Sequence, residues 1–145
     1  MTAELVVGIG GDGSGTAAAH TAARIGALMS AKIVLVFGYD PTSLGPRGGA
    51  LEDEILAVGQ RAIAAVHAEL AVAHPGLEIE SEFVQDHAVE ALLRVAADRH
   101  AEVICVGHGG GGPFKGALLG SITYELVHRS PLPVLVVPDA LVVDD

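Results

Sequence analysis

The sequence predicts an α/β domain, a parallel sheet with helices packed on both faces. Three observations predict it. Short β-branched apolar runs alternate with longer amphipathic stretches along the chain, the pattern of strands joined by right-handed helical crossovers. The 145 residues, 50% of them hydrophobic, match the size of one compact domain and bury a core without disulfides or a structural metal, so residues 1–145 read as a single unit. Two glycine-rich stretches follow strand-like runs, the place where open α/β sheets hold ligands.

The elements follow in order. Leu5 to Ile9 and Ile33 to Phe37 are continuous apolar runs too short for buried helices, and both read as central strands. Between them Ser14 to Met29 is rich in alanine, with Ser14 or Thr16 placed as a cap and Ala18, Ala22, Ile25 and Met29 as the core stripe. Residues 40–50 concentrate proline and glycine and read as an exposed loop. Leu51, Ile55, Val58, Ala62, Val66, Leu70 and Ala73 then recur at helical spacing until Pro75 and Gly76. Leu77 to Val84 alternates apolar residues with Glu78, Glu80 and Glu82, as an edge strand does. Asp86 is placed to cap a helix with Val89, Leu92, Leu93 and Ala96 on one face, ending near His100. Val103 to Val106 is a further buried strand, Ser121 a cap for a helix containing Ile122, Leu126 and Val127, and Val134 to Val137 the last strand. The count is five strands and four helices.

Composition narrows the partners. Eighteen acidic against eight basic residues leave a formal charge of −10, which repels phosphate backbones and anionic lipid, and the five aromatics form no basic, interleaved groove. Nucleic acid is therefore not expected as a partner. The most apolar stretch, LPVLVVPDALVV, is interrupted by proline and aspartate before the roughly 20 residues a membrane span needs. The start MTAELVVGIG lacks the pattern of a secretion signal, and the lone Cys105 has no internal disulfide partner. A cytoplasmic protein without membrane attachment is expected.

Seven glycines lie between Gly107 and Gly120. A bare turn opening onto a helix offers backbone amides and the positive end of the helix dipole, which suit a phosphate, and Ser121 and Thr123 add hydroxyl donors. A simple strand-to-helix linker has the same composition. The earlier turn also carries a spelling: Gly8, Gly10 and Gly13 form G-x-G-x-x-G, with Asp40 after the next strand where a ribose-binding acid would sit in a small NAD-binding protein. The distance from Gly13 to Asp40 exceeds the usual spacing, and no lysine completes a P-loop at Gly10 to Thr16.

The run VICVGHGGGGPFKGALLGSITYELVHRSPLPVLVVP resembles the carboxyl-terminal signature of the universal stress protein family, whose nucleotide-binding members carry G-x-x-G, nine residues, then G-[ST]. Gly107, Gly110, Gly120 and Ser121 match it without a gap. The resemblance extends through LVVGIG, IVLVFGYD, AVEALLRVAADRHAEVICVG and PVLVV, nearly the whole chain. It implies a Rossmann-like sheet of the adenine nucleotide alpha hydrolase kind, strand order 3-2-1-4-5, binding of ATP or another adenine nucleotide with Mg2+ accompanying the phosphates, a role in stress response, and a homodimer through Val134–Val137. Carried over by position, Gly107, Gly110, Gly120 and Ser121 surround ribose and phosphates, with Ile122 and Thr123 beside them; His108 and Gly109 stand where relatives often place a small hydroxyl and a basic residue. Gly38 meets adenine through its backbone, while Ile9 and Val106 line the base. Family members usually carry aspartate shortly after the first strand; this chain has Gly10 there and Asp12 two residues on, where Asp12 either substitutes or shapes the turn.

Other side chains add little chemistry. His108 falls in the expected site as a phosphate contact or a pH-sensitive group, Lys115 as a contact for a terminal phosphate, and both also read as solvated loop residues. The remaining histidines lack ligand spacing, so no metal cage is expected. Cys105 sits in a buried strand, away from any base, and Ser14 lacks a nucleophile elbow. The expectation is a nucleotide-binding sensor or regulator with at most weak ATP hydrolysis. A nucleotide-independent interaction module of the same fold is the alternative, and an NAD-binding protein the third.

Overall fold

The computed structural model describes residues 2–40, 48–109 and 119–138, with side chains excepted at 48–50. Five strands and four helices alternate through these residues: β1 Glu4–Gly8, α1 Thr16–Met29, β2 Lys32–Tyr39, α2 Gly48–Ala73, β3 Ile79–Gln85, α3 Ala88–Arg99, β4 Val103–Gly107, α4 Ser121–Arg129 and β5 Val134–Val137. The sheet is parallel with the order β3-β2-β1-β4-β5, the expected α/β architecture. Val6 pairs with Val34 on one side and Ile104 on the other, which sets β1 at the centre.

Burial on both faces explains the unbroken apolar runs. Leu5, Val7, Ile33, Leu35 and Cys105 pack with residues of α1 and α2, whereas Val6, Val34, Val36 and Ile104 pack with α3 and Leu126 of α4. Alanine dominates the α1 contact, with Ala18, Ala19, Ala22 and Ala23 fully buried, and side chains this small bring the helix axis close to the sheet. Gly26 is the last residue of α1 buried on the sheet; the turn beyond it leaves Met29 47% exposed, so the core stripe expected to reach Met29 stops one turn early.

The buried face of α2 is rotated from its expected position. Ile63, Val66 and Leu70 are buried, while Val58 is 37% exposed and Ala73 faces solvent. Gly59 presses its backbone against the Phe37 ring so closely that a Cβ there would collide with it, and this close approach rolls the helix toward Gly59 and Ile63. The helix also begins at Gly48, inside the stretch expected to be loop. By length and composition Leu51–Ala73 is apolar enough to cross a membrane, a feature the sequence reading assigned to no segment; here it packs one face on the sheet.

Edge strand β3 lies where the alternating glutamates placed it. Arg99, at the end of α3, gathers that edge: its guanidinium donates to Glu4 at 2.8 Å, Glu80 at 2.9 Å and Glu82 at 2.5 Å. Lys32 adds an ion pair to Glu80 at 2.7 Å. One arginine thus joins α3 to both β1 and β3.

Candidate functional site

A cavity of about 260 Å3 opens above the carboxyl ends of β1, β2 and β4, at the point where the sheet order reverses and loops from neighbouring strands part. Its apolar wall comes from Ile9, Val36, Phe37, Leu92, Val106 and Ile122, and the rest is largely glycine backbone from Gly8, Gly10, Gly11, Gly15, Gly38, Gly107 and Gly109. Only Ser14 and Thr123 contribute polar side chains among the described lining residues. The volume lies near the lower end of the roughly 300–1,000 Å3 typical of ligand sites, room for a nucleoside-sized group.

The β1–α1 turn is closed by its own hydrogen bonds. Gly10 N–H donates to Ser14 O at 2.9 Å and Gly13 N–H to Gly10 O at 3.0 Å, while Ser14 N–H donates to Asp12 Oδ1 at 2.9 Å. The Thr16 hydroxyl donates to Gly13 O at 2.6 Å. Gly15, with φ of 94°, is the N-cap of α1, so neither Ser14 nor Thr16 caps it by side chain. Hydrogen bonds from the Ser14 amide and hydroxyl hold the Asp12 carboxyl below its ordinary range. Asp12 therefore shapes the turn and lies off the cavity wall. The amides of Gly10 and Gly13, two of the three glycines in the Gly8, Gly10, Gly13 spelling, are thus engaged within the turn itself. Asp40, expected as the ribose acid of that reading, pairs with His87 Nε2 at 2.9 Å.

The β4–α4 connection is pinned at both ends. His108 N–H donates to Val137 O at 3.0 Å and Gly120 N–H to His108 O at 3.1 Å, and the Thr123 hydroxyl donates to Gly107 O at 2.8 Å. Gly109 takes φ of 73°, and Gly120 approaches its carbonyl so closely that no Cβ fits between them. The N-cap of α4 is Gly120, without a side-chain cap, so Ser121 is the first helical residue instead of the expected cap. Gly120 N–H and the Thr123 hydroxyl are thus engaged within the protein. The amides of the helix's first turn have no partner within the helix, and Ile122 and Thr123 of that turn stand on the cavity wall.

Of the expected site residues, Ile9, Gly10, Gly38, Val106, Gly107, Ile122 and Thr123 come together around the cavity. His108, Gly120 and Ser121 lie beside it on the pinned connection, and Gly110 and Lys115 lie outside the described residues. Phe37, Ala88, Leu92 and Ser14 are wall residues that sequence reasoning did not assign. Ala88 and Leu92 sit one turn apart on α3, and the helical spacing that marked Leu92 as core also sets it beside Ala88 at the cavity. Burial pushes the Cys105 thiol up to about 12, consistent with an inert core residue. Among the described residues no group of three or more histidine, cysteine, aspartate or glutamate side chains is placed to hold a metal ion.

A model of the universal stress protein family matches residues 1–138. Among solved structures, a universal stress protein in complex with cAMP is 30% identical, with 94% of this chain and 97% of that chain covered and a TM-score of 0.67. The hypothetical protein MJ0577 is 23% identical over 95% of this chain and 96% of its own, with a TM-score of 0.77. The universal stress protein UspA from Lactobacillus plantarum is 20% identical over 93% and 97%, also with a TM-score of 0.77. A search of curated proteins found no match.

Proposed function

The chain belongs to the universal stress protein family, and from that premise we propose that its cavity binds an adenine nucleotide, ATP or a relative of it, as part of a stress-response sensor or regulator. The observation that carries the reading is the cavity itself: an apolar pocket at the sheet's reversal point, bounded on one side by the first turn of a helix. Adenine would occupy the wall of Ile9, Val36, Leu92 and Val106, meeting the Gly38 backbone. Phosphates would lie toward the amides of Ser121, Ile122 and Thr123, where the helix dipole favours negative charge. Support also comes from the 30% identical universal stress protein found in complex with cAMP. Mg2+ would arrive with the phosphates, since the described wall residues include no carboxylate. The setting we propose is the cytoplasm, with a second copy of the chain pairing along the Val134–Val137 edge to form a homodimer.

Isothermal titration calorimetry with ATP, AMP and cAMP tests the reading: saturable binding of at least one is expected, and no heat from any of them at millimolar concentration would overturn it. The alternative, a nucleotide-independent interaction module, draws on the engagement of Gly120 N–H and the Thr123 hydroxyl within the protein. It requires a protein partner whose binding is unchanged by Gly110→Val or Ser121→Ala.

A further inference from the structure

Ser14 and Thr123 are the two polar side chains on the described cavity wall, and they are not equivalent. Thr123 gives its hydroxyl hydrogen to Gly107 O at the β4 side. Ser14 Oγ instead lies over Gly10, so close that a Cβ at residue 10 would collide with it, with Asp12 Oδ1 2.9 Å from the same Cβ position. The absence of a Cβ at Gly10 is what gives Ser14 access to this position. Asp12 receives the Ser14 amide at 2.9 Å, and its carboxylate, which can only accept, stands on the same side of Gly10 as the Ser14 hydroxyl and favours the hydroxyl hydrogen. With its hydrogen directed at a carboxylate, the hydroxyl offers the cavity only its remaining lone pairs and acts as an acceptor.

Topology fixes what meets that acceptor. β1 lies between β2, whose end supplies part of the apolar wall, and β4, which leads to the α4 amides. A ligand with its base on the first and its phosphates on the second carries its sugar past the turn that follows β1. Resting on the adenine-nucleotide reading, we propose that Ser14 Oγ is a specificity-determining acceptor for a sugar hydroxyl, so that the cavity selects ribonucleotides over deoxyribonucleotides.

Calorimetry of the full chain with ATP, 2′-deoxy-ATP and 3′-deoxy-ATP tests this. The wild-type protein is expected to bind ATP about 3- to 10-fold more tightly than one of the two analogues, the range of one neutral hydrogen bond. Ser14→Ala is expected to lose that factor for ATP and bring the analogue to parity. Gly10→Ala, whose methyl group would displace Ser14 Oγ, should do the same by a separate route, with circular dichroism verifying that each variant is folded. Equal binding of ATP and both analogues by the wild type, or a preference that survives Ser14→Ala, overturns the assignment to Ser14 alone. If none of the three binds, the nucleotide reading falls and this assignment with it.

Discussion

Thr123 Oγ1 donates to the carbonyl oxygen of Gly107 across 2.8 Å and thereby ties the first turn of α4 to the last residue of β4. The Gly120 amide, bonded to His108 O at 3.1 Å, makes a second tie. Both hold the start of α4 against the cavity independently of any ligand. Thr123→Val keeps the shape and removes the hydroxyl, leaving a carbonyl without its donor. The expected loss is about 1 kcal/mol in urea denaturation, with weaker nucleotide binding because the helix start is no longer fixed. Unchanged affinity in a destabilised variant would separate the tie from the binding surface.

Gly15 and Gly13 provide an internal contrast. Gly15 has φ of 94° and its added Cβ would run into Gly8 O, whereas Gly13 has φ of 86° with nothing within 4 Å. Gly15→Ala combines strain with collision and is expected to cost about 2–4 kcal/mol. Gly13→Ala carries strain alone, about 1–2 kcal/mol. Paired denaturation curves measure the difference.

Arg99 bridges Glu4 of central β1 to Glu80 and Glu82 of edge β3, and Arg99→Ala leaves the three carboxylates close together with Lys32, on Glu80, as their remaining counter-charge. A loss of about 1–3 kcal/mol is expected, shrinking as salt screens the repulsion. The pH dependence has a defined sign. Lys32 first, then Arg99, hold the Glu80 carboxyl below its ordinary 4.5, so its contribution is complete above that value and disappears as pH falls through the lower folded-state value. Asp12 behaves alike, below its ordinary 3.8. Stability should lose these contributions only below about pH 4.5, and the acid slope should be shallower in Arg99→Ala. Thermal melts between pH 3 and 7 would detect it.

The Cys105 thiol, pushed up to about 12 by burial, should resist a disulfide reagent at pH 8 in the native protein and react at once in guanidinium. Its native-state labelling rate then reports opening of the sheet's centre. Rapid labelling without denaturant would contradict the packing described.

Much of this architecture was legible because buried parallel strands announce themselves as β-branched runs, and Leu5 to Ile9 or Ile33 to Phe37 admit few other readings. Helix faces were less so. Periodicity marked Val58 and Met29 as core, but the Phe37 ring against Gly59 sets the roll of α2, and where α1 outruns the sheet is a tertiary fact. Capping chemistry misled in the same way: Ser14 and Ser121 are good caps, yet Gly15 and Gly120 hold those positions because close backbone approach at the β1 and β4 ends admits no side chain. In the cavity, Ile9, Gly38, Val106 and Gly107 follow from strand ends and a known signature. Phe37 and Leu92 do not, because an apolar residue reads alike whether it ends in packed core or at an open wall.

The polar groups on the described cavity wall are mostly peptide groups, and that decides which experiments can see them. Alanine scanning removes side chains and leaves every main-chain donor between Ser121 and Thr123 in place, so such a scan would pass over the α4 side of the proposed site. Replacing single amides by esters, which deletes one N–H while preserving shape, would make that surface visible.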